Sequence, residues 1–213
     1  RVLVIDLDPQ NNASNWLGVT DPGKGAFGVL VEGGRLKDAI HDTANKNVAA
    51  CPASPWLAGA ERALAAEVGA ETILRKKLKE VASAFDFVLL DTSPHLGLLT
   101  INALVAADAV LIPVEAHVMA LSGLALLQET VDAVKDRLND RLRVIGTLAC
   151  RVDGRTRHSL DVLLDAAHSA GVLHRDLKGS NVFLSHDTEG LRVVITDFGL
   201  AKQLGTDSGA TRT

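Results

Sequence analysis

Asp6, Asp8 and Asp91 stand where apolar, strand-type runs stop: RVLVID gives way to Asp6-Leu7-Asp8-Pro9, and DFVLLD at 86–91 gives way to Thr92-Ser93-Pro94. A carboxylate that ends an apolar strand is costly unless it meets a cation, a metal-bound water or several hydrogen-bond donors. One such residue reads equally well as a helix cap. Asp8 and Asp91 stand at equivalent strand ends, each followed by Pro within three residues. Together they suit a magnesium–phosphate site, one carboxylate near the metal and the other near an attacking water.

The elements that must position them follow from hydrophobic periodicity. RVLVID, DFVLLD, AVLIPVE at 109–115 and LRVIGTLA at 142–149 are apolar runs of strand type without polar alternation. Helical stretches are expected around 99–107, 120–138 and 157–170. A long amphipathic helix is expected from Leu57 to Ala84, with Leu64, Val68, Ile73, Leu74, Leu78 and Val81 near helical spacing. Buried strands joined by helices mean a parallel sheet covered on both faces, so the fold class is a three-layer α/β domain. In such a sheet ligands gather at the carboxyl ends of the strands, where the three aspartates and Pro113-Val114-Glu115 lie.

Composition sets few further bounds. With 22 Lys and Arg against 26 Asp and Glu, the net charge of −4 gives no bulk attraction to nucleic acid or anionic membrane. Cys51 and Cys150 make neither a metal-ligand spacing nor a disulfide framework, which points to a reducing, cytoplasmic setting. Asp108 and Glu115 interrupt the apolar stretch from His95 to Ala125 and argue against a membrane span. The chain opens at Arg1 directly on a strand, from which an upstream segment is expected.

VLVIDLDPQNNAS, ACPASPWLAGAE, FDFVLLDTSPHLGLLTINALVAADAVLIPVEAHVMALSGL and GTLACRVDGRTRHS resemble, in order and spacing, the ParA/Soj/MinD family of partition ATPases over about residues 1–160. The resemblance implies a P-loop NTPase of the deviant Walker type that binds ATP with Mg²⁺. It also implies a homodimer sandwiching the nucleotide, non-specific DNA binding and a partition partner protein. By resemblance Asp8 orients the hydrolytic water, Asp91 is the Walker B residue holding Mg²⁺ through water, and DTSPHLG at 91–97 is switch II. Asp6 and Thr92 fall at the nucleotide, and Arg155 and Arg157 near base- and DNA-facing loops, where solvated loop arginines are the commoner occupants. The family usually carries a second Pro where Ser93 stands, a departure expected to loosen the switch.

A larger departure concerns the phosphates. The family's glycine-rich P-loop precedes the segment matching VLVIDLDPQ, and this chain has no residues there. Gly23-Lys24-Gly25 is no substitute: no Ser or Thr follows the Lys, no strand leads in, and no helix is expected to follow at once. Lys24 reads as a surface turn. The sheet is expected to lack its first, central strand and to show an unpaired gap with exposed apolar strand faces.

Residues 161–213 change character. LDVLLDAAHSAGVLHRDLKGSNVFLSHDTEGLRVVITDFGLAK resembles part of a Ser/Thr protein kinase C-lobe: His174-Arg175-Asp176-Leu177 with Asn181 fits H-R-D-L-x-x-x-N, and Asp197-Phe198-Gly199 fits D-F-G. A short hairpin with SHDTEG as its turn is expected between the motifs. The resemblance implies that Asp176 accepts the substrate hydroxyl proton, Lys178 steadies the γ-phosphate, and Asn181 and Asp197 hold magnesium. No glycine-rich loop or strand Lys of an N-lobe precedes residue 161, and the chain stops at Thr213 short of an APE motif. Isolated loops are expected to be inert because phosphoryl transfer depends on positioning. The two resemblances meet within one amphipathic segment, HSLDVLLDAAH. Three readings follow: a partition-type ATPase impaired by its incomplete cradle, a Ser/Thr protein kinase by its C-terminal fragment, or a non-catalytic binding module or gene-fusion artefact.

Overall fold

The computed structural model describes residues 1–115 and 119–150, together with the strand segments 172–173, 182–187, 190–195 and 202–203. The chain divides into two units, the first formed by residues 1–108 with 131–142 and the second by 109–130 with 143 onward.

In the first unit β1 (Val2–Asp6) runs between two parallel neighbours. On one side lies β3 (Val48–Cys51), flanked in turn by the antiparallel two-residue β2 (His41–Asp42); on the other lies β4 (Phe87–Asp91). The order β2-β3-β1-β4 makes the sheet mostly parallel, as expected of an α/β fold. Leu3, Ile5 and Leu7 are at most 1% exposed and pack with Leu36, Leu57 and Leu74 in one core. Burying each such leucine contributes about 1.5–3 kcal/mol, which is what fixes the strand ends in space.

Departures from the expected elements have local causes. The sequence Val48–Cys51 reads weakly as a strand because alanine has low strand propensity, yet β3 forms beside the central strand, where Ala49 and Cys51 are fully buried. The expected helix from Leu57 to Ala84 is broken into α3 (Ala60–Leu64) and α4 (Ile73–Leu78), with Gly69 between them at φ +75°. That left-handed conformation suits glycine and ends a right-handed helix. Val68, expected on the buried side, is 97% exposed in consequence, whereas Leu64, Leu74 and Val81 face the core. Buried Asn102 on α5 (Leu98–Ala106) ties the broken stretch together: its Oδ1 accepts from Leu74 N–H at 3.1 Å, and its Nδ2 donates to Ala70 O at 2.8 Å and Leu98 O at 3.0 Å.

The apolar run of β4 reads as a buried strand, whereas Phe87 and Leu89 are 68% and 56% exposed, matching the exposed apolar strand faces also expected of this sheet. It is an edge strand among the described residues, paired to β1 alone, so one row of its backbone groups and one apolar face have no strand neighbour.

In the second unit β5 (Ala109–Glu115) pairs in parallel with β6 (Arg143–Cys150), the register slipping between Val110 and Leu111 so that Ile145 is passed over. Pro113 lies within β5 rather than after it, which an edge strand tolerates. Ile112 and Leu124 form a small buried pair there; Leu124 belongs to α6 (Met119–Arg137), whose last turns lie in the first unit. Toward the C-terminus β7 (Val172–Leu173) pairs antiparallel with β10 (Lys202–Gln203), and β8 (Val182–Asp187) with β9 (Gly190–Ile195). That hairpin is the expected one, but its strands run into SHDTEG and leave only residues 188–189 between them. The expected helix at 157–170, and Arg155, Arg157, Asp176, Lys178, Asn181 and Asp197, lie outside the described residues. Among the described residues no helix is long and apolar enough to cross a membrane.

Candidate functional site

β1 and β4 are in register to their last residues, so Asp6 stands opposite Asp91, and Leu7 N–H donates to Asp91 O at 2.8 Å across the exit of the sheet. The two carboxylates have different surroundings. Asp6 is 1% exposed, and one of its oxygens takes the Ser14 N–H at 2.8 Å and the Ser14 hydroxyl at 2.6 Å while the other takes the Asp8 N–H at 3.0 Å. Ser14 Oγ in turn accepts from Ala53 N–H at 2.9 Å, linking the ends of β1 and β3. Three donors compensate the burial of Asp6, so its charge supports the architecture of the strand end.

Asp8 is half-exposed on the turn between β1 and α1 (Asn12–Trp16). Its Oδ1 accepts from Gln10 N–H and its carbonyl from Asn11 N–H, both at 2.9 Å. Asn11 closes the turn at φ +50°, the one non-glycine residue with positive φ among those described, and Asn15 Nδ2 donates to its side-chain oxygen at 2.6 Å. Asparagine tolerates this region better than other side-chain-bearing residues.

Asp91 is open to solvent at the lip of the sheet, yet its carboxyl is pushed above the usual aspartate value, by partial burial first and then by the charges of Asp6 and Asp8. A cation there relieves that repulsion. Among the described residues no group of three or more His, Cys, Asp or Glu could hold a metal ion by itself. The donor set suits Mg²⁺, which keeps several waters and takes one or two carboxylates together with substrate phosphates. Thr92 follows Asp91, half-buried, at the start of the loop that leads through His95 to Gly97 and α5.

Lys24 is not part of this site. Its Nζ pairs with Glu32 and sits 6.0 Å from the Trp56 ring. Contrary to the sequence expectation, a helix does follow at once, α2 (Gly25–Leu30); no strand leads into it. Gly25 is required there, because at φ +47° a Cβ would strike the Pro52 carbonyl oxygen. The groove beside Lys24, about 520 Å³ and lined by Asp21, Glu32, Arg35, Asp38 and His41, includes none of Asp6, Asp8, Asp91 or Thr92. Sequence reasoning missed Ser14 and Asn11; an Asn at the close of a Pro-containing turn was the one readable signal among them.

A family model described as "AAA domain" matches residues 1–144, and one described as "Protein kinase domain" matches residues 117–213, the two overlapping. The chain is 39% identical over 165 residues to the sporulation initiation inhibitor protein Soj of Bacillus subtilis, covering 76% of this chain and 65% of that one. It is 44% identical over 156 residues to the chromosome-partitioning ATPase Soj of Thermus thermophilus, covering 73% and 59%. It thus spans less than two thirds of either relative. Among solved structures, cobyrinic acid a,c-diamide synthase of Mycobacterium smegmatis, including a form with bound ADP and magnesium, matches with a TM-score of 0.73 and 37% identity over 79% of this chain and 69% of that one. On the match of residues 1–144 and these similarities, the chain belongs to the ParA/Soj-type AAA-domain family of partition ATPases.

Proposed function

We propose that the first unit is the nucleotide domain of an Mg-ATP-dependent partition or positioning ATPase, working in the cytoplasm as a homodimer with DNA and a partition partner protein. The observation that carries it is the register of Asp6 and Asp91, which puts the Asp8 turn beside an acidic strand end where a cation is favoured. Asp8 orients the attacking water and accepts its hydrogen bond. Asp91 holds the metal through a water, Thr92 contacts the nucleotide side, and Asp6 positions the turn. Mg²⁺, when bound, supplies charge neutralisation on the phosphates. The nucleotide and metal of the solved relative support this assignment.

Among the described residues no glycine-rich loop lies between a strand and a helix where it could present backbone N–H groups to a triphosphate. We infer that this polypeptide on its own turns over ATP weakly or not at all. Steady-state hydrolysis at saturating Mg-ATP is the test. Release of phosphate at background rate is the expected result; turnover that disappears with Asp8→Ala would show that the cradle is complete after all.

The match of residues 117–213 to the protein kinase domain favours a second reading, in which Asp176, Lys178, Asn181 and Asp197 belong to a phosphotransfer centre. Phosphorylation of a generic Ser/Thr substrate, lost with Asp197→Ala, is what that reading requires.

A further inference from the structure

Glu61, on α3, reaches the loop that follows Asp91 although thirty positions separate the two residues. Its carboxylate lies so closely on Gly97 that a Cβ at that position would displace it. The same carboxylate stands 3.8 Å from His95 Nε2. Gly97 is the cap of α5, and its carbonyl accepts from Ile101 N–H at 3.0 Å, which places a negative charge at the positive end of a nine-residue helix. Glu61 is itself well founded: its neighbours Ala60 and Leu64 are 0% and 4% exposed, so α3 is fixed by the core.

Two hydrogen bonds fasten the loop, Leu7 N–H to Asp91 O at 2.8 Å and the Thr100 hydroxyl to His95 O at 2.7 Å, and the Glu61 carboxylate lies against its end at Gly97. The two hydrogen bonds come from the strand before the loop's neighbour and from the helix after the loop. Glu61 comes from α3, which neither precedes nor follows the loop, and it lies against the loop's end at His95 and Gly97.

Resting on the reading of Asp91 as the metal-side carboxylate, we propose that Glu61 is a positioning residue: lying against Gly97 and His95, it holds the loop at residues 92–97 so that Asp91 and Thr92 face the metal and nucleotide. Such outer supports commonly set the affinity of a site whose ligands they do not themselves provide.

The experiment compares the wild-type chain with Glu61→Ala, Glu61→Gln and Asp91→Asn by amide hydrogen exchange of residues 92–97 and by Mn²⁺ titration in the presence of ADP, followed by electron paramagnetic resonance. Glu61→Ala is expected to speed exchange of the loop amides about tenfold while those of β1 stay protected, and to weaken Mn²⁺ binding about tenfold. Glu61→Gln, which keeps the shape, is expected to restore most of the loop protection. Asp91→Asn is expected to abolish Mn²⁺ binding and leave the loop slow. Loop exchange unchanged in Glu61→Ala overturns the proposal, as does unchanged Mn²⁺ affinity in that variant when Asp91→Asn has lost it. Equal Mn²⁺ affinity in wild type and Asp91→Asn sinks the metal reading instead, and the exchange rates still decide whether Glu61 holds the loop. If Glu61→Ala does not fold, Gly97→Ala, which displaces the carboxylate from the loop, must show the faster exchange.

Discussion

Asp6 and Asp91 are cross-strand partners at the ends of β1 and β4, yet one carboxylate is spent inside the protein and the other is left free to act. Asp6 is satisfied by Ser14 and the Asp8 amide; Asp91 is held in an unfavourable electrostatic position, its carboxylate accepting no hydrogen bond among the described residues and its proton affinity raised by burial and by its two acidic neighbours. Functional sites commonly carry such perturbed groups.

Ser14→Ala tests the supporting half. It removes one donor to the buried Asp6 and leaves the Ala53 N–H without its acceptor. Urea unfolding should show a loss of about 2 kcal/mol, the cost of unsatisfied buried polar groups. A loss indistinguishable from that of an exposed Ser→Ala control would remove Asp6 from its structural role.

Asp91→Asn tests the acting half, and in the opposite direction. Because the folded-state carboxyl titrates above its ordinary value, the folded state binds the proton more readily than the unfolded chain. The penalty from ionised Asp91 is thus present at neutral pH and relieved as pH falls toward its raised pKa. Asn removes the penalty, so the metal-free variant should be more stable than wild type at pH 7, by less than about 1 kcal/mol given solvent screening. Its stability should also gain less on mild acidification. A destabilised variant would contradict this.

Asn11 is expected to accept glycine and resist β-branched residues. Asn11→Gly keeps the positive φ and should leave the melting temperature nearly unchanged. Asn11→Val forces a β-branched side chain into the left-handed region and should cost about 1–2 kcal/mol. Equal melting temperatures for the two variants would show that the turn relaxes.

Cys51 and Cys150 should differ in reactivity. The Cys51 thiol is fully buried and its pKa is pushed up to about 12 by burial and by Asp6, whereas Cys150 is half-exposed. A thiol reagent at pH 8 should label Cys150 and spare Cys51 until urea unfolds the chain. Since the unfolded thiol ionises near its ordinary value of 9.0 and the folded one does not, stability should be lost as pH rises from about 9 toward 12. Cys51→Ala should lose less over that window. Rapid labelling of Cys51 in the native chain would place it outside the core.

The strand ends were legible because β1, β4, β5 and β6 are continuous apolar runs, and an aspartate closing such a run is conspicuous. β3 was not, since Val48–Cys51 has two alanines and draws its stability from lying beside β1. The break at Gly69 was hidden because the apolar spacing on either side stays near helical. Nor could spacing show that Asp6 and Asp91 would divide their labour. That depends on Ser14 in α1 and on the edge position of β4, both products of tertiary packing.

Titration of a fluorescent ATP analogue with Mg²⁺ into the wild-type chain, Asp91→Ala and Asp197→Ala tests the assignment of the nucleotide end most directly. The account predicts weak, Mg²⁺-dependent binding by the wild type that disappears with Asp91→Ala and survives Asp197→Ala. Binding that persists in Asp91→Ala, or that is lost with Asp197→Ala instead, would contradict it.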